Sequence, residues 1–553
     1  MSERKPKLLV PIIGIAVVLA GGVAAYIYFK GISDANSPLA SAKIVPDEAL
    51  MAGFVSNDTK AWSKLQQFGT PEAQNLIAKG INDFQKEMLA ESNINYDKDV
   101  QPWLGSVMFA VLPPPTLKSA QDTPQSAPSS SVLVVVGIKN QIGAFNFANK
   151  LKSDKNIKIK DSNYNNIQII ETTENTRNTY SAVLGNHLVV SSERRPVEVA
   201  IDTFKGQPSF ASKNGIGNLL SKGVDVQNPI AQFYLPDYGR VVEQFLANSP
   251  NAPQLPRETL NQLQQVKSVV MGVGVDDAGL RMKAIAKLDP SAVKFEYKPT
   301  PGKVVAQFPA ETFALIDGHG ISRFWSAVVE QSKTDPQTQQ GLDQARQQLQ
   351  TLNLDLDKDI FSWMDGEFAL AAIPSNQGIL APLGFGAALV FKTSDRPTAE
   401  ATFNKLDAIA QGYSVTVAQR DIQGKSVTEW QIPPEGALLG HGWLDEETVF
   451  VAFGGPIVDA IATPPSQSLN DNETFKAVTG TLQKPNAGYF YLDMDKTMSL
   501  VNRYLPQGQN PYISPEANTL LNSIRGIGMT AIQPEKSTSK LEMLLALKPR
   551  SAK

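Results

Sequence analysis

The sequence predicts an α+β protein in which an N-terminal transmembrane helix is followed by two tandem duplicated domains, each a mainly antiparallel sheet covered by helices. Three observations predict it. One long apolar run near the start carries no charge, one phrase is written twice at a wide interval, and short segments rich in Val and aromatics recur between turn residues. At 553 residues the chain exceeds what one hydrophobic core serves, so two or more domains are expected.

Residues 1–7 form a basic tail with Arg4, Lys5 and Lys7, and Leu8 to Phe29 follows without one charged side chain. At about 1.5 Å per residue that run spans about 33 Å, enough for a hydrocarbon core of about 30 Å. Pro11 falls in its first turn, where a missing N–H costs little, and Tyr26, Tyr28, Phe29 and Lys30 suit the far interface. The basic side stays in the cytoplasm, so a linker over 30–43 leads to a bulk expected in the periplasm or thylakoid lumen. The alternative is a cleavable signal peptide with Val23-Ala24-Ala25 as its small-residue site.

The two domains are expected over 44–300 and 301–553. DKDVQPWLG at Asp97 to Gly105 returns as DKDIFSWMDG at Asp357 to Gly366. PDEALMAGFV from Pro46 answers to PAETFALIDG from Pro309, and AWSKL from Ala61 to FWSAV from Phe324, both at an offset of 263. FANKL from Phe147, RPVEVAI from Arg195 and FYLPD from Phe233 find FNKL, GPIVDAI and FYLDM from Phe403, Gly455 and Phe490 in the same order. Conserved order at so wide an interval describes a doubled domain, not a solenoid of short repeats.

Within the first copy, Ile77, Ile81, Phe84 and Met88 have helical spacing, as do Leu342, Ala345, Leu349 and Leu352 in the second; both faces need a sheet to cover. Thr70-Pro71 suits a cap followed by a first helical residue. Strand candidates are SVMFAVL, SVLVVVGI, NHLVVSS, IAQFYL, KSVVMGVGV and LRMKAIAKL, with counterparts GEFALAAI, FGAALVF, TVFVAF, AGYFYL, RGIGMTAI and LEMLLAL. Short connections favour an antiparallel sheet with helices on one face. Pro113 to Ser131 is a low-complexity insertion between two strands, and Tyr297 to Lys303 breaks any helix between the copies.

The doubled phrase is expected to be a structural corner. Asp99 and Asp359 can accept from free N–H groups at a helix start, Trp103 and Trp363 then point to one side, and Gly105 and Gly366 take a left-handed conformation that ends the turn. Its rival is calcium. Asp355, Asp357 and Asp359 alternate as in an EF-hand loop, but Ile360 stands where glycine is required and Gly366 where glutamate is required; Val100 and Ser106 fail likewise in the first copy.

Composition narrows the function. Lys and Arg number 51 against 54 Asp and Glu, so no field draws in nucleic acid, and the basic run Lys150 to Lys160 has no aromatic for base stacking; it is expected to be a solvated edge. Cysteine is absent, which excludes disulfides, thiolate metal sites, cysteine nucleophiles and a lipobox anchor. Only His187, His319 and His441 exist, two of them flanked by glycines that suggest turns. No GxSxG elbow accompanies them, Gly424-Lys425-Ser426 lacks the first P-loop glycine at Gln419, and Ser537 with Lys540 lacks the other β-lactamase-type motifs. No catalytic, cofactor-binding or metal-binding residue is assigned, and no cofactor is expected.

The N-terminal anchor, FGTPEAQ and the doubled DKD phrase together resemble the domain of unknown function 3352 family, membrane-anchored proteins of cyanobacteria. That resemblance implies an envelope or thylakoid location and no mechanism. The expected function is a non-enzymatic binding or scaffold protein with one membrane span and a protein partner. The alternatives are a carrier or sensor of an apolar ligand, and a hydrolase using dispersed Asp and Ser residues.

Overall fold

The computed structural model describes residues 37–79, 95–114, 130–153, 158–174, 177–213, 216–247, 263–291, 297–333, 336–413, 415–504 and 514–550. The predicted tail 1–7, span 8–29 and the first half of the linker, 30–36, lie outside them, as do Ile81, Phe84, Met88 and most of the insertion between Pro113 and Ser131; the rest of the linker holds a short helix, Pro38–Ala42, whose Ala42 is buried in the first unit's core. Among the described residues, no helix is long and apolar enough to cross a membrane. Two compact units form: Met1–Gln66, Gln74–Asp276 and Met282–Leu288 make the first, and Gln67–Ala73, Asp277–Arg281 and Asp289–Lys553 the second.

The first unit is built on β1 (Met51–Val55), β2 (Leu104–Leu112), β3 (Ser131–Ile138), β4 (Lys158–Tyr164), β5 (Ile167–Glu174), β6 (Arg177–Leu184), β7 (His187–Ser191), β8 (Pro229–Leu235) and β9 (Val266–Val275). Every pairing is antiparallel, and the strands lie in the order β4-β5-β6-β7-β3-β2-β1-β8-β9. β10 (Gly279–Leu288) is divided between the units. The second unit uses β11 (Ala314–His319), β12 (Glu367–Pro374), β13 (Phe385–Lys392), β14 (Thr416–Ile422), β15 (Lys425–Ile432), β16 (Gly436–Trp443), β17 (Thr448–Phe453), β18 (Tyr489–Asp493), β19 (Ile524–Glu535) and β20 (Thr538–Leu547). Its order is β14-β15-β16-β17-β13-β12-β11-β18-β19-β20, again antiparallel throughout.

Helices cover both faces of these sheets, whereas the sequence suggested one. The reason is legible in β3, whose SVLVVVGI has no polar alternation and is apolar on both sides. Leu133 and Val135 pack with Val197, Ala200 and Ile201 of α2 (Arg194–Phe204), while Val134 and Val136 pack with Ala144, Phe147 and Ala148 of α1 (Gln141–Lys152) and with Trp103. In the second unit Ala369 and Val390 meet Ile457 and Val458 of α6 (Gly455–Ala462) and Phe475 and Val478 of α7 (Glu473–Thr479). The opposite face packs Trp363, Phe391 and Val449 on Ala399 and Phe403 of α5 (Arg396–Gly412). Burying each such Val, Leu or Phe side chain stabilises by about 1.5–3 kcal/mol.

Other details also differ from expectation. α4 (Pro336–Gln350) contains Leu342, Ala345 and Leu349, yet none of its residues is buried; it lies beside α3 (Ile321–Ser332) and covers no sheet. Thr70 does cap a helix over 71–79, its hydroxyl accepting from the Ala73 N–H at 3.3 Å. The Lys150–Lys160 run leads into β4, an exposed edge strand.

Candidate functional site

The doubled phrase forms the same corner in each unit. A single π-type turn spans Tyr96–Val100, and another spans Leu356–Phe361. The Asn95 side chain accepts from Lys98 N–H at 3.0 Å, and Asp99 Oδ2 reaches back to accept from Asn95 N–H at 2.7 Å. In the second corner Asp355 accepts from the Asp357 and Lys358 N–H groups, and Asp359 Oδ2 accepts from Asp355 N–H at 2.8 Å. This is the reciprocal logic of a capping box, so the caps are Asn95 and Asp355, and the predicted aspartates supply the returning arm. Trp103 and Trp363, both fully buried, each donate Nε1–H to the carbonyl of Asp99 or Asp359 at 2.8 Å.

Lysines complete both corners. Lys150 of α1 pairs with Asp99, and Lys405 of α5 with Asp359 at 2.8 Å. Burial alone would raise the Asp99 carboxyl, but the bonds from Lys150 and Asn95 N–H outweigh it and hold it below the usual range. Asp359 is lowered first by the Asp355 N–H and then by Lys405. The glycines correct the sequence reading, since neither Gly105 nor Gly366 adopts positive φ. Gly105 lies inside β2, and Gly366 is required by close approach: a Cβ there would meet the Lys392 carbonyl oxygen at 2.4 Å. The EF-hand-like carboxylates turn to protein partners, Asp357 accepting from Trp325 Nε1 at 2.7 Å and Arg346 Nε at 2.8 Å. Among the described residues, no three His, Asp or Glu side chains converge as metal ligands.

The glycine-flanked histidines sit in unlike places. Gly320, at φ +78, makes the turn expected there and leads into α3, but Gly440 and Gly442 lie inside β16, where a Cβ on Gly440 would strike Val458 of α6 at 2.7 Å. His441 Nε2 lies 2.9 Å from Asp407 Oδ1, which also accepts from Trp430 Nε1 at 2.7 Å. Phe403 stacks on the His441 ring, centroids 4.5 Å apart. Among the described residues, no serine or threonine hydroxyl is bonded to His441.

His319 borders a pocket of about 300 Å³ in the second unit. Ile316, Phe368, Phe490, Met529 and Leu541 line it from the sheet and Phe324 from α3. It opens on the face that α5 covers further along, for Phe368 both lines it and packs against the α5 core. The sheet frames it because β11 and β18 part company there. Their ladder runs from Ala314–Leu492 to Ile316–Phe490, and beyond it the Asp317 carboxyl, not a backbone carbonyl, accepts from Tyr489 N–H at 2.8 Å. Gly488, at φ +118, lets the chain pass; a Cβ there would lie 2.0 Å from the Asp317 carbonyl oxygen.

Beneath this wall sits a feature that sequence reasoning missed. Along β11 Leu315 and Asp317 are buried while Ile316 is 47% exposed, so the Asp317 carboxyl turns to the core face. Glu367, equally buried, stands on that face of β12, two residues before Ala369, the partner of Asp317. Glu367 Oε1 accepts from Val304 N–H and the Thr300 hydroxyl, both at 3.3 Å. Asp317 Oδ2 and Glu367 Oε2 are buried without a hydrogen-bond partner among the described residues. Burial, then the neighbouring Glu367 charge, pushes the Asp317 carboxyl up to about 7. Burial, then the Arg323 and Lys298 charges, lowers His319.

Strand pairing identifies the equivalent places in the first unit. Ala52 lies opposite Tyr234 and Ala110, as Leu315 lies opposite Tyr491 and Ala371. Counting along each strand, Phe54 occupies the position of Asp317, and Ser106 that of Glu367. Phe54 is packed into the first unit's core, and the Ser106 hydroxyl accepts from Asn57 N–H at 3.2 Å.

Among solved structures, crystal form IV of TP0453 is 12% identical over 49% of this chain and 85% of its own, at a TM-score of 0.26. Crystal form III is 10% identical over 46% and 82%, at 0.27. Scores this low carry no argument. A search of curated proteins found no match. A family model described as "Protein of unknown function (DUF3352)" matches residues 12–547, nearly the whole chain, and the protein therefore belongs to that family.

Proposed function

We propose that the chain is a binding protein, not an enzyme, and that the pocket over β11 and β18 holds its ligand. The observation that carries this reading is the pocket itself: about 300 Å³ with walls of Ile316, Phe324, Phe368, Phe490, Met529 and Leu541. Such a lining rewards an apolar molecule through area removed from water and offers few directed polar contacts for a hydrophilic one. A carrier or sensor of an apolar ligand is thus favoured over a pure scaffold.

The uncharged run at Leu8 to Phe29 supports a single-span anchor, with the bulk in the periplasm or thylakoid lumen. The recurring strand order and the matching Trp–Asp–Lys contacts of the two corners support a tandem duplication. Native mass spectrometry of the full chain from gentle membrane extracts tests the binding reading. An apolar molecule should accompany the wild type and be lost from Ile316→Asp; its absence from both refutes the reading. Release by an alkaline carbonate wash would refute the anchor.

A further inference from the structure

The geometry points to a proton-sharing pair: one proton held between Asp317 and Glu367 fastens the floor of the pocket, and its loss loosens that floor and lowers ligand affinity. The inference rests on the binding reading above and adds its regulation. Four observations converge on it.

First, the two carboxyls are diagonal neighbours on one face of adjacent antiparallel strands, a separation that Asp and Glu side chains can close. Second, each already uses one oxygen on a backbone N–H and leaves the other, Asp317 Oδ2 or Glu367 Oε2, buried and unpartnered. One shared proton makes one of these a donor and the other an acceptor, satisfying both; two bare carboxylates satisfy neither and repel. Third, Asp317 and Tyr489, joined by the bond that replaces the strand ladder, both line the pocket. Fourth, the first unit has Phe54 and Ser106 at these positions, so the sheet needs no acid there to fold.

Other charged groups border the pair. On β20, Glu542 is engaged by Arg281. His319 on β11 stands opposite Glu367, and burial, Arg323 on α3 and Lys298 lower it more than the Glu367 and Asp365 charges raise it, while Tyr489 on β18 offers Asp317 its backbone N–H. Glu367 is the charge that acts on Asp317, and burial with that charge sets its proton loss near neutrality. Ionisation strengthens the Tyr489 N–H bond, but burial and the repulsion from Glu367 outweigh it.

The test uses the full chain in lipid nanodiscs at about pH 5.5 and about pH 8.5, either side of the Asp317 transition. Amide exchange over 486–493, corrected for intrinsic rate, should lose protection at the higher pH in the wild type. It should be unchanged by pH in Asp317→Asn, whose amide donates to Glu367 without titrating, and in Glu367→Gln. His319→Gln should keep the wild-type pH dependence. Binding of uncharged N-phenyl-naphthylamine, taken over the signal of Ile316→Asp, should weaken about fivefold or more in the wild type between these pH values and stay level in Asp317→Asn. Equal protection at both pH values, or an unaltered pH response in Asp317→Asn, overturns the inference. If the probe binds nowhere while the exchange pattern appears, the binding reading fails and the proton-sharing pair stands.

Discussion

Phe54 and Asp317 occupy one position in two sheets of the same strand order, and they solve it in opposite ways. In the first unit a phenyl ring fills the core and the neighbouring Ser106 takes one backbone N–H. In the second a carboxyl stands beside Glu367, two oxygens go unpartnered, and the strands part over a pocket. The corners show the reverse behaviour, because Trp103 and Trp363, with their aspartates and lysines, are preserved bond for bond. The Trp, Asp and Lys positions that hold the corners match between the two units. The position of the buried acidic pair differs between the units, and such a pair adds little to stability by itself.

Breaking the shared corners should have the largest effect. Trp103→Ala and Trp363→Ala each remove a fully buried indole and its bond to a carbonyl, and each should cost about 3–5 kcal/mol in urea unfolding. If one costs under about 1 kcal/mol, the corners are not equivalent. Next, Phe54→Asp places an unpaired carboxyl in the first unit's core and should destabilise by about 3 kcal/mol or more at neutral pH.

Asp317→Asn should do the opposite. The Asp317 carboxyl is raised when folded, so the folded chain keeps a proton that the unfolded chain surrenders. Wild-type stability should therefore fall as pH rises from about 4 to about 7, by on the order of a few kcal/mol, while Asp317→Asn is flat across that window. Thermal melts at several pH values measure it, and a wild-type curve that is flat there breaks the contrast. The smallest effects belong to Lys150→Met and Lys405→Met, partly exposed pairs worth about 0.2–1 kcal/mol. Asp99 and Asp359 are lowered when folded, so that contribution is present above the ordinary carboxylate range and lost as pH falls below about 4.

The apolar strands were legible in the sequence because burial dictates their composition: β3 as SVLVVVGI, β9 as a valine-rich run, β17 as TVFVAF. β4, KIKDSNY, was hidden because an exposed edge strand keeps polar residues on both faces. β11, ALIDGH, was hidden because Asp317, Gly318 and His319 interrupt its alternation. The corner was readable as a recurring phrase, yet the need for Gly366 lies in a carbonyl of β13 that sequence spacing does not reveal. The acidic pair was missed for a similar reason. Asp317 and Glu367 lie fifty positions apart, and alone each reads as a surface carboxylate; the matching segments of the two units held a signal, an Asp against Phe54 and a Glu against Ser106.

The outer strands of the two sheets have a consequence for crowding. Among the described residues β4 and β14 each pair on one side only, and they carry Lys158, Lys160 and Asp161, or Arg420 and Asp421. An open strand rim is a template on which a neighbouring molecule can add, and charges along it oppose that addition. Along these two rims the charged side chains disfavour strand-to-strand addition of a second molecule.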